Sequence, residues 1–131
     1  MAKPIHQELV FDATPQQVFD ALVDSKLHAA FTGAPATLGQ EPGQRFECYD
    51  HALEGCMLEL VPGERIVQAW RVTDWPAGLY TVVHLELSAV EGGTKLVMDH
   101  HGVPDDFEPH IDGGWHTKYW NPLKAYFAAK S

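Results

Sequence analysis

Eight histidines are the richest source of chemistry in this 131-residue chain, and His100-His101, His110 and His116 crowd its last third. A metal centre needs three or four ligands converging on one point. Adjacent His100 and His101 on a strand would point to opposite faces, and there is neither a His-Glu-x-x-His stretch nor a paired-cysteine signature. No metal and no cofactor is expected. A nucleophile elbow, a phosphate-binding glycine loop and Ser-His-Asp spacing are also missing from the sequence. The carboxylates of Asp99, Asp105, Asp106, Glu108 and Asp112 gather near a loop before a helix, where the helix dipole favours acidic side chains. The reading is therefore a non-catalytic protein, with a hydrolase or cyclase using His100 as general base as the enzymatic alternative.

Polar residues set among apolar ones are more informative. In Ile66, Gln68, Trp70, Val72 and again in Leu96, Met98, His100, alternate positions form an apolar face with one polar intruder each, Gln68 and His100. Both would face the same side of a sheet as Thr81, Val83, Leu85 and Leu87. Together with Phe46 and Cys48 from an earlier strand and Trp115 and Tyr119 from the final helix, they could line an apolar cavity holding few polar groups, as small-molecule sites do. Alternatively, Gln68 and His100 bond each other, backbone or water within a filled core.

The element that would cover such a face is the stretch from Ile111 to Lys130. At about 100 degrees per residue, Ile111, Trp115, Tyr119, Trp120, Leu123, Tyr126 and Phe127 fall on one half of a helical wheel. So much aromatic bulk needs a broad partner, such as a sheet. Pro122 removes a donor to the carbonyl of Lys118 and predicts a kink. Upstream, residues 5 to 12 alternate like a half-buried strand. Thr14-Pro15-Gln16-Gln17 reads as a capping box with Pro15 in the first helical position, and a second helical piece runs from Ser25 to Phe31. Then comes an antiparallel meander, with runs Arg45 to Tyr49, Leu53 to Val61, Arg65 to Thr73, Leu79 to Val90 and Thr94 to Val103 separated by turn residues. With one more strand near Ala36 to Leu38 the sheet would have six or seven strands. The order is that of an α+β fold with helices on one face of the sheet.

Composition narrows the partners. The chain carries 18 acidic against 9 basic residues, net charge -9, with no basic cluster, so nucleic acid and anionic membrane would be repelled. Met1 to Gln7 lacks a signal-peptide core and no segment is long and apolar enough to span a bilayer; a single cytoplasmic domain is expected. Cys48 and Cys56 flank the turn signal Asp50-His51-Ala52. A three-residue loop would set them opposite each other, so a cross-strand disulfide is conceivable, although a reducing compartment favours two half-buried thiols.

The order of elements resembles the helix-grip fold of START-like domains, a curved antiparallel sheet wrapped around a long C-terminal helix. Ala30-Phe31-Thr32-Gly33-Ala34-Pro35-Ala36-Thr37-Leu38, Leu60-Val61-Pro62-Gly63-Glu64-Arg65-Ile66-Val67, Trp70-Arg71 with Trp75-Pro76, Gly102-Val103-Pro104 and Gly114-Trp115 are similar to successive stretches of one family. That family is the C-terminal domain of the activator of the 90-kDa heat-shock protein ATPase, and the resemblance runs over nearly the whole chain. Together with the cavity suggested by strand parity, the leading reading is a stand-alone homologue of that domain that binds a small apolar or amphipathic ligand, or a protein partner; the alternative is a co-chaperone that stimulates the ATPase of a chaperone of the 90-kDa heat-shock class. The resemblance also implies that much chaperone docking belongs to a separate N-terminal domain, for which this chain has no room. Fold alone does not carry function.

Overall fold

The computed structural model describes residues 4–130; Met1–Lys3, part of the stretch read for a signal sequence, lie outside them. Seven strands form: β1 (Ile5–Phe11), β2 (Thr37–Leu38), β3 (Arg45–Cys48), β4 (Leu53–Val61), β5 (Arg65–Val72), β6 (Thr81–Val90) and β7 (Gly93–His101). They pair antiparallel in one sheet of order β1-β7-β6-β5-β4-β3-β2. Between β1 and β2 the chain forms α1 (Pro15–Val23) and α2 (Ser25–Thr32). Thr14 Oγ1 accepts from the Gln17 backbone N–H at 3.1 Å and Gln17 Oε1 accepts from that of Thr14 at 2.8 Å, the reciprocal cap that the sequence encodes. Asp24 starts α2 by accepting from the amides of Lys26 and Leu27.

The buried face of the sheet is built in cross-strand rows. One row reads Ile5, His100, Val83, Gln68, Met57; the next reads Gln7, Met98, Leu85, Ile66, Leu60. A third runs through Thr81, Trp70, Gly55 and Phe46 to Leu38. Gly55 is required there, because a Cβ would lie 2.6 Å from the Phe46 ring and 1.9 Å from the Ala69 carbonyl oxygen. Over these rows lies the C-terminal helix, continuous from Glu108 to Lys130 as α3 (Glu108–Trp115), a π-helical turn (His116–Trp120) and α4 (Asn121–Lys130). Its buried side chains are Ile111, Trp115, Tyr119, Trp120, Leu123 and Phe127, with Tyr126 partly buried. No helix among the described residues is long and apolar enough to cross a membrane.

Three details differ from the expectations. β6 begins at Thr81 rather than Leu79, because Arg71, only 8% exposed, donates to the carbonyls of Leu79 (3.3 Å) and Trp75 (2.7 Å) and pairs with Glu54, holding the preceding turn out of the ladder. β7 ends at His101, where Gly102 turns with φ +87. Cys48 and Cys56 do not face each other. The hairpin register pairs Cys48 with Leu53 and Cys56 with Arg45, so each cysteine lies three residues along the strand from the position opposite the other. Both cysteines are free.

Candidate functional site: an aromatic groove under the C-terminal helix

Pro122 bends the helix in a specific way. Its ring nitrogen has no hydrogen, so the Lys118 carbonyl loses its usual donor. The chain responds with one π turn, in which the Asn121 N–H donates to the His116 carbonyl. The Lys118 carbonyl, released from the helix, accepts the Tyr49 hydroxyl instead. Tyr49 comes from the β3–β4 hairpin, where Tyr49, Asp50 and His51 all have left-handed backbones (φ +53, +53 and +71). Three consecutive non-glycine residues in that region are costly. The conformation brings the Tyr49 ring edge-on to Tyr119, with centroids 5.8 Å apart. Tyr49→Phe, which leaves this carbonyl without its partner, is expected to lose about 1 kcal/mol in urea denaturation; an unchanged midpoint would show that the hydroxyl does not hold hairpin and helix together.

Between the hairpin, the ends of β4 and β5, and the helix there is a groove of about 350 Å³. Tyr49, Trp70, Trp115 and Tyr119 form its aromatic wall, and Ala52, Leu53, Val72 and Ile111 line it as well. Trp70 and Trp115 are stacked at 5.8 Å and 30°. His110, Gly114 and Lys118 complete the lining from the helix, spaced four residues apart and therefore on one stripe. Within that volume the site can hold a small apolar body and contact a polar group at its rim.

Of the positions predicted from the sequence, Trp70, Trp115 and Tyr119 are on the groove wall. Phe46, Cys48, Thr81 and Val83 are instead buried in the sheet interior, as are Leu85, Met98, Gln68 and His100. Aromatic bulk is the physical reason: Trp115 stacks on Trp120 at 5.2 Å and 15°, and these rings fill the space over the middle of the sheet. His100 and Gln68 do not bond each other. Trp115 Nε1 donates to His100 Nδ1 at 3.0 Å, which places the proton on Nε2. Nε2–H then donates to Thr81 Oγ1 at 2.7 Å, and the Thr81 hydroxyl to the Trp70 carbonyl at 2.8 Å. Burial pushes His100 down to about 3. Its one lone pair is occupied by an indole, so this imidazole is a structural strut and is not placed to act as a base. Gln68 reaches the Met57 sulfur at 3.5 Å.

Two further polar residues tie the helix down, and neither was singled out in the sequence. Gln7 accepts from Trp120 Nε1 at 2.6 Å and donates to the carbonyl and side chain of Asp112 (2.9 and 2.6 Å). Its signal was the same parity that exposed Gln68, a glutamine between Ile5 and Leu9. His28, on α2, lies 3.2 Å from the Tyr119 hydroxyl through Nε2, and its Nδ1 has no partner among the described residues. Burial lowers its pKa to about 4. The Tyr119 hydroxyl also meets the Cys48 thiol, which burial pushes up to about 12, and burial likewise raises Tyr119 well above its ordinary value. Among the described residues no group of His, Cys, Asp or Glu is gathered to hold a metal ion.

The sheet gripping one long helix, with an apolar groove at its open end, defines a START-like helix-grip domain. The chain belongs to the family described as "Activator of Hsp90 ATPase homolog 1-like protein", which matches residues 12–128. It is 32% identical over 117 residues to the human "Activator of 90 kDa heat shock protein ATPase homolog 1", covering 89% of this chain and 35% of that protein. The chain thus spans about a third of the length of such relatives. In fold it is similar to an HSP90 activator from Plasmodium falciparum, with TM-score 0.89 at 20% identity over 97% of both chains. It is also similar to the Aha1 dimer from Colwellia psychrerythraea, with TM-score 0.81 at 16% identity over all of both chains.

Proposed function

We propose that this chain is a non-catalytic, cytoplasmic START-like domain that takes a small apolar or amphipathic molecule into the groove beside its C-terminal helix. The observation that carries the reading is Gly114. It sits inside α3, where glycine costs about 1 kcal/mol relative to alanine, yet a Cβ added there would meet nothing within 4 Å. Packing does not demand the glycine. What it preserves is open space, because Gly114 is part of the groove lining.

Gly114→Phe should therefore fill the groove while leaving the fold at least as stable. With 2-naphthamide as probe, calorimetric titration is expected to show saturable binding to the parent chain and none to the variant, at equal or higher thermal midpoint. Equal binding by both would place the probe elsewhere and remove the support for the groove.

A second reading, a co-chaperone acting on the ATPase of the 90-kDa heat-shock chaperone, is favoured by the names of the relatives. Since the chain spans only about a third of those proteins, it is expected to stimulate the ATPase of its own organism's chaperone less than about twofold at low micromolar concentration. Such an effect corresponds to under half a kcal/mol of barrier. Several-fold stimulation by the purified chain would promote the co-chaperone reading over ligand binding.

A further inference from the structure

We infer that the groove's ligand is a small planar aromatic carboxylic acid, its ring held against the aromatic wall and its carboxylate directed to Lys118. This rests on the groove being a binding site, as proposed above, and adds the chemistry of what it selects. The wall offers ring edges more than free faces: Trp70, Trp115 and Tyr119 are only 4%, 5% and 7% exposed, and Trp115 already stacks on Trp70 and Trp120. Tyr49, half-buried, stands at 77° to Tyr119, so a flat ring can pack against the wall edge to face. A volume of about 350 Å³ is at the lower end for small-molecule pockets. It suits one or two fused rings rather than a long acyl chain or a folded protein surface.

Charge supplies the second half of the argument. The sequence has twice as many acidic as basic residues, 18 against 9, yet among the described residues no carboxylate lines the groove and the one ammonium that does is Lys118. Arg45, Arg65, Arg71 and Lys95 are each paired with glutamates. Lys118 makes no ion pair among the described residues; its Nζ lies 5.8 Å from the centroid of the Tyr49 ring, over its face. That cation–π contact is weak for an exposed side chain. A carboxylate at the rim exchanges it for a charge-assisted hydrogen bond. Gly114 stands one turn from Lys118 on the same stripe, so the floor beneath the ring is open where the acid's body must lie, and His110 adds a second ring nitrogen at the far end of that stripe. Elsewhere the acidic surface repels free anions, so the ammonium makes the groove the favoured place for one that also carries an apolar body.

The test compares 2-naphthoate with its uncharged analogue 2-naphthamide by isothermal titration calorimetry, on the parent chain, Lys118→Met and Lys118→Arg. The acid is expected to bind the parent about fivefold to tenfold more tightly than the amide. Lys118→Met should bring the two to parity and Lys118→Arg should keep the preference, with circular dichroism unchanged in both. Equal affinities in the parent, or a preference that survives Lys118→Met, would overturn the carboxylate assignment while the groove reading stands on the amide's binding. Failure of both probes to bind the parent defeats the two together. Tighter binding of the peptide N-acetyl-Asp-Trp-Asp-amide than of the free acid would make the occupant a protein segment and overturn the small-molecule assignment.

Discussion

Trp115→Ala is expected to destabilise the protein by about 4 to 5 kcal/mol, near the upper end for truncating a buried aromatic side chain. Two contributions combine. The ring is 5% exposed and stacks on both Trp120 and Trp70, so its loss leaves a cavity between helix and sheet. Its indole N–H is also the donor to His100 Nδ1, and removing it strands a buried acceptor. Trp115→Phe keeps most of the packing and should cost about 1 to 3 kcal/mol, mainly through that acceptor. Chemical denaturation of both variants separates the contributions. A loss below about 1 kcal/mol for the alanine variant would mean that the sheet does not grip the helix through this ring.

Mild acid is expected to weaken the fold well before most carboxylates protonate. Burial holds His100 down to about 3 and His28 to about 4, whereas both titrate near 6.5 in an unfolded chain. Between these values the unfolded state binds more protons. The stability these two neutral imidazoles contribute is therefore complete above about pH 6.5 and is lost as pH falls toward about 4 and 3. At about 1.4 kcal/mol per unit for each histidine, unfolding free energy should drop by roughly 4 kcal/mol between pH 7 and pH 5. His6 works in the opposite sense. Its bonds to Asp99 and Glu8 raise its pKa, so its contribution is present below its unfolded value and lost as pH rises through the folded one. It is solvent-exposed and screened, so the buried pair dominates. His28→Phe should remove about half of the slope, measured as urea midpoints from pH 7.5 to 5. Stability flat across that range would contradict the buried neutral state of both rings.

The elements legible in the sequence were those fixed by local chemistry or by one clean period. The Thr14–Gln17 cap, the alternation of β5 and β7, and the aromatic stripe from Ile111 to Phe127 all depend on near neighbours, and each is found where it was read. Pro122 announced a disturbance, but its form could not be read. Whether the freed Lys118 carbonyl would meet water or a side chain depended on Tyr49, far away in the chain and in a backbone conformation that tyrosine rarely adopts.

The groove was less legible for the same reason. Parity gives the side of a sheet on which a residue lies, and it placed Gln68 and His100 inward. It does not say where along that side the space is left open once Trp115, Trp120, Met57 and Met98 have filled the middle. The missed clue was Gly113-Gly114 inside a helix otherwise loaded with aromatic residues. Adjacent glycines there disfavour the helix, so open space next to them was the physical alternative to close packing.

The central claim, that a small molecule enters this groove, is tested most directly by chemical-shift mapping with 2-naphthoate on isotopically labelled protein. The account predicts that the amides of Leu53, Val72 and Gly114 and the side-chain resonances of Trp70 and Trp115 move together with one saturating curve. Resonances of the opposite sheet face, such as Val10, Val82 and His84, should stay in place. Shifts confined to that outer face, or no saturable shift at any groove residue, would contradict the claim.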